Sequence, residues 1–382
     1  MKHNRRDFLK YSLFSIGTAP FLTDSIKAQT TDDAPLPTER QAMRQAAETV
    51  MKDHSIPGLS MAIVHRGKMV YTESLGFANR ESNEKVTDSH LFRIASISKP
   101  ITSVAIFKLI EQGKISLEDS IFGQNGILQG DYGKAPFKTY VEQIQLKHLL
   151  THTCGGWSNE KNDPMFMNPK MNHQQLINWT INNLQLTNPP GQNYAYSNFG
   201  YCILGRVIEK ITGKSYENFV NEAILSKCDI SDMQIGGNTL AERNPNEVIY
   251  YNQQGDSNPY GMNVRRMDSH GGWLATASDL VKFAVHVDGQ APARNILKPA
   301  SIKEMTTPTT ASPNYAKGWA VNKYSNWWHA GALPGTSTVM VRTKSNFCWA
   351  ALTNTREIKA DTNLAIDKMM WEIAAKVKGW NA

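Results

Sequence analysis

The sequence predicts an α+β protein in which one antiparallel sheet is assembled from both ends of the chain and a mostly helical part is inserted between them. Two observations predict it. Runs of strand character lie between Leu59 and Phe77 and return only after Gly318. The stretch from Ser96 to about Asp268 instead shows helical patches separated by loops rich in Asn, Gly and Pro. With 382 residues and 41% hydrophobic content the chain can bury a large core. Residues 38–378 are read as one unit, with a sheet part at about 38–95 plus 269–378 and a helical part at about 96–268.

The first residues read as an address. Asn4-Arg5-Arg6-Asp7-Phe8-Leu9-Lys10 is a twin-arginine pattern, followed by a mildly apolar stretch to Leu22 and a small residue, Ala28, suited to cleavage. Gly17 and Pro20 interrupt it, so it is too short to span a membrane, and no other apolar run reaches spanning length. The expectation for residues 1–28 is a signal peptide read by the twin-arginine export machinery of a bacterium. It places the mature chain in the periplasm or outside the cell. Residues 29–37 follow as a polar linker.

Glu39 to His54 has helical periodicity, with Met43, Ala46, Val50 and Met51 on one side, and Ile56-Pro57-Gly58 ends it. Leu59–His65 and Lys68–Phe77 form a hairpin about Arg66-Gly67. Helical patches are expected at Gln143–Leu150, Asn172–Asn183 and Gly200–Thr212. Strands are expected at Gly318–Tyr324, Thr336–Thr343 and Phe347–Asn354, before an amphipathic helix from about Ala360 to Val377. The net charge of +7 includes five Lys/Arg and two Asp/Glu within residues 1–28, so +4 remains, too little and too scattered for a nucleic-acid partner. Cys154, Cys202, Cys228 and Cys348 form no C-x-x-C pair and read as buried thiols.

Three segments carry chemistry. In Phe92-Arg93-Ile94-Ala95-Ser96-Ile97-Ser98-Lys99, an extended run turns into a helix and sets a hydroxyl and an amine one turn apart. A serine needs a base to become a nucleophile, and a lysine becomes one when burial strips its proton. Helix N-terminal amides beside Ser96 favour the charge that builds during acyl transfer. Ser82-Asn83-Glu84-Lys85 matches the same spacing but lies in a polar turn with no helix behind it. In Pro190-Gly191-Gln192-Asn193-Tyr194-Ala195-Tyr196-Ser197-Asn198, Tyr196 is the candidate acid/base, its pKa lowered if Lys99 is a cation beside it. Asn198 can hold Lys99 and bind a substrate carbonyl. The Y-x-N spacing recurs at Tyr216, Tyr250 and Tyr324, where a structural role is expected. In Trp327-Trp328-His329-Ala330-Gly331-Ala332-Leu333, a strand with small residues after a polar one lets a substrate backbone lie alongside, and its amides complete an oxyanion hole. The site is expected in the crevice between the two parts.

Taken together, Ser96-x-x-Lys99, Tyr196-x-Asn198 and His329-x-Gly331 resemble the penicillin-recognising serine hydrolases, among them class C β-lactamases, D-alanyl-D-alanine carboxypeptidases and related esterases. The resemblance runs from about Ile56 to Arg356 and includes Phe92-Arg93-Ile94-Ala95, His148-Leu149-Leu150-Thr151-His152-Thr153 and His270-Gly271-Gly272-Trp273. It implies a three-layer α/β/α sandwich with an inserted helical domain. It implies that Ser96 is acylated with Lys99 taking its proton, and that Tyr196 serves the leaving group and the deacylating water. Asn198 orients Lys99 and substrate, His329 stands beside the substrate's carboxylate or acyl group, and the amides of Ser96 and Ala332 bind the oxyanion. No metal or organic cofactor is implied.

Efficient class C β-lactamases resemble Lys-Thr-Gly at the third motif, whereas His329-Ala330-Gly331 is more like peptidase or esterase branches. A lysine holds a substrate carboxylate better than a histidine of ordinary pKa. The expectation is hydrolysis of an ester or D-amino-acid peptide with weak or no β-lactamase turnover. A true class C-like β-lactamase, an acyltransferase and a non-catalytic receptor of peptide or β-lactam remain alternatives. His148 and His152 have the spacing of a helical zinc pair but no glutamate between them, and no G-x-S-x-G elbow is present.

Overall fold

A computed structural model describes residues 33–159 and 163–380. The twin-arginine segment and residues 29–32 of the linker lie outside the described residues. Helix α1 (Pro37–Asp53) leads into β1 (Gly58–His65), β2 (Lys68–Asn79), β3 (Glu84–Lys85) and β4 (Phe92–Arg93). The middle of the chain holds α2 (Ser98–Glu111), α3 (Leu146–Leu150), α4 (Pro164–Met167), α5 (His173–Asn183), α6 (Asn198–Thr212), α7 (Tyr216–Ala223), β5 (Gln234–Ile235) and β6 (Tyr251–Asn252). Then come α8 (Asp268–Gly271), β7 (Trp273–Ala275), α9 (Ala277–Val285), α10 (Pro299–Thr306) and β8 (Ala320–Val321). The chain closes with β9 (Trp327–Leu333), β10 (Thr336–Arg342), β11 (Phe347–Thr353), β12 (Thr355–Arg356) and α11 (Thr362–Ala375).

The main sheet has the order β3-β2-β1-β11-β10-β9-β8, so β1 from one end of the chain pairs with β11 from the other. Neighbouring strands are antiparallel. The β1–β2 turn falls where expected, with Arg66 and Gly67 both in the left-handed region at φ 49° and 80°. Every residue of β1, β10 and β11 is buried, because both faces of the sheet are covered. Strand alternation divides those residues between two cores. Leu59, Met61, Ile63, Phe347, Trp349 and Ala351 pack with Met43 of α1 and Ile366, Met370 and Ile373 of α11. Ala62, Val64, Cys348, Ala350 and Leu352 face the larger core that holds α2, α6 and α9. A one-residue slip would exchange the two sets, so the pattern fixes the register. The result is the α/β/α layering of an α+β fold.

Several elements differ from the sequence reading. The Gly318–Tyr324 strand is only Ala320–Val321, because the Asn322 side chain accepts from the amides of Tyr324 and Asn326 and Ser325 turns left-handed, which stops the strand. The Gln143–Leu150 helix breaks at Ile144, which is extended, and α3 covers only its second half. Helix α9 was not anticipated, although Thr276 and Asp279 cap it reciprocally. All four cysteines are free and buried. No helix among the described residues is long and apolar enough to cross a membrane.

Candidate active site

Ser96 lies in a 3-10 turn, Ala95–Ile97, and α2 begins only at Ser98. Ala95 holds a left-handed conformation at φ 49°, a strain of about 1–3 kcal/mol for a residue with a Cβ. The surroundings enforce it. Thr336 and Thr338 of β10 donate their hydroxyls to the carbonyls of Arg93 and Ile94 at 3.0 Å each, and the Ser98 hydroxyl donates to the Ala95 carbonyl at 2.7 Å. Ser96 stays partly exposed on this turn, whereas Lys99 behind it is fully buried.

The Lys99 Nζ lies 2.9 Å from Ser96 Oγ, 2.8 Å from Asn198 Oδ1 and 2.9 Å from the His270 carbonyl oxygen. Burial drives its pKa well below the ordinary lysine value, with the Asp163 carboxylate opposing the fall. A neutral amine has two hydrogens and one lone pair. The two carbonyl oxygens are obligate acceptors and take the hydrogens, which leaves the lone pair for the Ser96 hydroxyl.

Tyr196 enters from a loop pinned on both sides. The Ala195 amide donates to the His152 carbonyl, the Asn159 amide to the Tyr196 carbonyl, and the Ser197 amide to His152 Nδ1 at 3.1 Å. Ser197 caps α6 through the Gly200 amide, so Asn198 opens that helix and points its amide at Lys99. The Tyr196 phenol lies near enough to the Ser96 hydroxyl for that group to favour its ionised form. Lys99 Nζ lies 4.7 Å from the Tyr196 ring centroid. Contrary to the expectation that Lys99 lowers the phenol's pKa, burial raises it well above the usual tyrosine value, the neighbouring Ser96 hydroxyl only partly offsetting this. A buried lysine that is itself stripped of charge supplies no cation for that purpose.

Strand β9 lies against the Ser96 turn, and its residues alternate, with His329, Gly331 and Leu333 buried on one face. His329 Nδ1 is 2.7 Å from the Ala330 carbonyl and its Nε2 is 3.1 Å from the Tyr315 hydroxyl. The carbonyl assigns the proton to Nδ1, so Nε2 accepts from Tyr315. Burial holds the imidazole at a pKa of about 3, with Lys99, when charged, adding to the fall. Gly331 is not small to make room for a ligand, as its place in the motif suggested. A Cβ there would meet the Ile94 carbonyl oxygen at 2.2 Å and Thr338 Oγ1 at 2.4 Å, so the glycine lets β9 close on the nucleophile's turn. Ala332 follows it, half-buried, on the same strand.

Sequence reasoning missed four contributors. The His270 carbonyl carries no side-chain signature. Asp163, buried, accepts from Asn198 Nδ2 at 3.0 Å. Tyr315 backs His329, and His152 packs its ring on Tyr196 at 4.2 Å, with Tyr194, Tyr201 and Tyr315 around it. His152 lies beyond the end of α3 at φ 58°, so it does not share a helix face with His148. The rival Ser82-x-x-Lys85 is an exposed turn and strand edge. Tyr216 is buried, bonded to Thr102 and Trp273, and Tyr324 is exposed. Tyr250, expected in a polar loop, is instead buried and donates to Glu247.

Two partly buried apolar side chains flank the same turn. Phe166 and Met262 pack with Ala95, Met267 and Leu333 in a small cluster of their own. It sits toward the Leu333 end of β9, about 13 Å by strand rise from the His329 end.

Residues 43–368 match the family model described as Beta-lactamase. Protein flp of Staphylococcus aureus (strain MRSA252) is 25% identical over 312 residues, covering 80% of this chain and 60% of its own length. The chain thus spans less than two thirds of that relative. Penicillin-binding protein 4* of Bacillus subtilis (strain 168) is 24% identical, over 80% of this chain and 69% of its own. The D-amino acid amidase from Ochrobactrum anthropi SV3 shares the fold, with a TM-score of 0.71 and 21% identity over 89% of this chain and 100% of that one. With the family's match running from α1 into α11 and enclosing every residue around Ser96, the chain belongs to the beta-lactamase family, within the penicillin-recognising serine hydrolases.

Proposed function

We propose that this chain is an exported serine hydrolase that cleaves an ester or amide through an acyl-enzyme on Ser96, its substrates being D-amino-acid peptides or small esters. The observation that carries this reading is the Lys99 amine, buried and held by two carbonyl oxygens with Ser96 Oγ as its third neighbour at 2.9 Å. Ser96 Oγ attacks the substrate carbonyl carbon and gives its proton to Lys99. The amides of Ser96 and Ala332 receive the oxyanion. Tyr196, whose phenol keeps its proton at neutral pH, hands that proton to the leaving group as the carbonyl re-forms, and regains one from Lys99. Water then attacks the ester with Tyr196 and Lys99 passing its proton to Ser96, which leaves as the hydroxyl.

Two features favour esters, and amides without a free carboxylate, over β-lactams. His329 is held neutral, so it gives a ring carboxylate no cation. The cluster of Phe166, Met262 and Leu333 packs on Ala95, next to the nucleophile, which suits an apolar acyl group. The export part of the proposal rests on Arg5-Arg6 and the stretch behind it.

Intact-mass detection of a covalent adduct with a fluorophosphonate and with a penicillin, followed by hydrolysis of a panel of esters, D-amino-acid peptides and a D-amino acid amide, tests the reading. Wild type is expected to gain one adduct and Ser96→Ala none. Equal hydrolysis by the two proteins sinks the reading in favour of a receptor. Penicillin turnover rivalling a dedicated resistance enzyme makes it a β-lactamase. Transfer to an added alcohol that exceeds hydrolysis makes it an acyltransferase. Residues 1–28 fused to a reporter should export it only when the twin-arginine machinery is intact.

A further inference from the structure

We propose that Asp163 is a positioning residue, whose carboxylate fixes which end of the Asn198 amide faces Lys99 and supplies the negative charge beside that buried amine. The proposal rests on the reading of Ser96 as nucleophile and Lys99 as its base. The two ends of an asparagine amide are alike in size, and only their partners decide the orientation. An ionised carboxylate is an acceptor alone. Asp163 Oδ2 takes Asn198 Nδ2 at 3.0 Å, so Oδ1 is the end that meets Lys99 Nζ at 2.8 Å. Reversal would set NH2 against the amine and carbonyl oxygen against the carboxylate, both unfavourable in a buried site.

Asp163 is itself held in place. Its Oδ1 accepts from the Met165 amide at 3.0 Å as the cap of α4. The segment that follows is clamped by Arg266, whose buried guanidinium donates to the carbonyls of Met165 and Asn168 at 2.6 Å each and of Met171 at 2.5 Å. The charge therefore cannot swing away from the site.

Among the described residues, the other titratable groups around Lys99 bring no anion. The Tyr196 and Tyr201 rings stand 4.7 and 5.7 Å from its Nζ, and burial raises both phenols' pKa values. His152, His270 and His329 are lowered by burial and stay neutral. Among the described residues, Asp163 is the negative charge that acts on Lys99, and it favours the protonated amine. It thus limits how far burial alone depresses the base, and it returns Lys99 to readiness for accepting a proton from Ser96.

The test is the rate of fluorophosphonate labelling and of ester kcat/KM against pH for wild type, Asp163→Asn and Asp163→Glu, with thermal melts to confirm folding. Asp163→Asn should move the acidic limb to lower pH by about one unit and lower the plateau about tenfold, since the Asn198 amide is then free to reverse. Asp163→Glu keeps the charge and displaces it, so the limb should stay while the plateau falls. A folded Asp163→Asn with an unmoved limb overturns the proposal, as does an Asp163→Glu whose limb shifts like that of the asparagine variant. If Asp163→Asn does not fold, the glutamate result alone decides. A wild type that Ser96-directed reagents fail to label overturns the serine-hydrolase reading instead, and that outcome is seen before any variant is compared.

Discussion

The Lys99 amine and the backbone carbonyl of His270 meet at 2.9 Å across 171 positions of chain. That carbonyl belongs to α8, a single turn tied to the helical core by the buried Arg206–Asp268 ion pair at 2.5 Å. The base is thus aimed by a main-chain atom that no substitution can delete, and side-chain changes reach it only through Asn198 or the packing of α8.

The first prediction concerns Lys99 and pH. Its folded pKa is depressed, so below the unfolded value of 10.5 the unfolded chain binds the extra proton. Burial of this residue therefore costs stability at neutral pH, and the cost shrinks as pH rises toward 10.5. Relative to Lys99→Met, wild type should gain up to about 1.4 kcal/mol per pH unit between pH 7 and 10, read by denaturant unfolding. Ester hydrolysis by the variant should fall by about a thousandfold or more.

His329 should not titrate in the working range. With a pKa of about 3 it is neutral from pH 5 to 8. The kcat/KM profile of His329→Gln should keep the wild-type limbs across that range even if its height changes. A limb near pH 6 that vanishes with the substitution would show that the imidazole is exposed and charged.

Gly331→Ala should lower both stability and acylation. The added methyl meets Ile94, Thr338 and Ala95 together, and two of these contacts are too short to survive. An overpacked core position of this kind costs about 1–3 kcal/mol. The strand must back away from the Ser96 turn, so fluorophosphonate labelling should slow at least tenfold at a temperature where the variant is still folded.

Acyl-chain preference should follow Phe166 and Met262. Truncating either to alanine removes part of the apolar wall beside Ala95 and Leu333. For p-nitrophenyl esters, kcat/KM should fall about tenfold for hexanoate and little for acetate, as expected when several methylene contacts are lost. A uniform loss across the series would place the acyl group elsewhere.

Much of this protein was legible in its sequence. Periodicity gave β1, β10 and β11, because their residues alternate between two full cores, β2 as the partner of β1 across the Arg66-Gly67 turn, and α1, α5 and α6, because their apolar faces are continuous. Ser96, Lys99, Tyr196, Asn198 and His329 stood out by spacing and context, and the structure brings them to one place. Short elements set by local turns were not readable: the Asn322 side chain cuts β8 to two residues, and Ile144 splits the helix before α3. Asp163 and Tyr315 lie in segments without periodicity, and the His270 carbonyl has no letter in the sequence at all. Gly331 was noticed for the right property and the wrong reason, since what it admits is the chain's own backbone.

The pairing of β1 with β11 ties Leu59 to Thr353 and His65 to Phe347, nearly three hundred positions apart. Before the last strands have been translated, β1 has only β2 beside it and an open hydrogen-bonding flank. Contacts of such long sequence separation make closure slow, and the partly made chain carries a sticky edge meanwhile. The ribosome must have passed β11 before the central layer can exist, so the two halves of the sheet meet only after the whole helical part between them has been made.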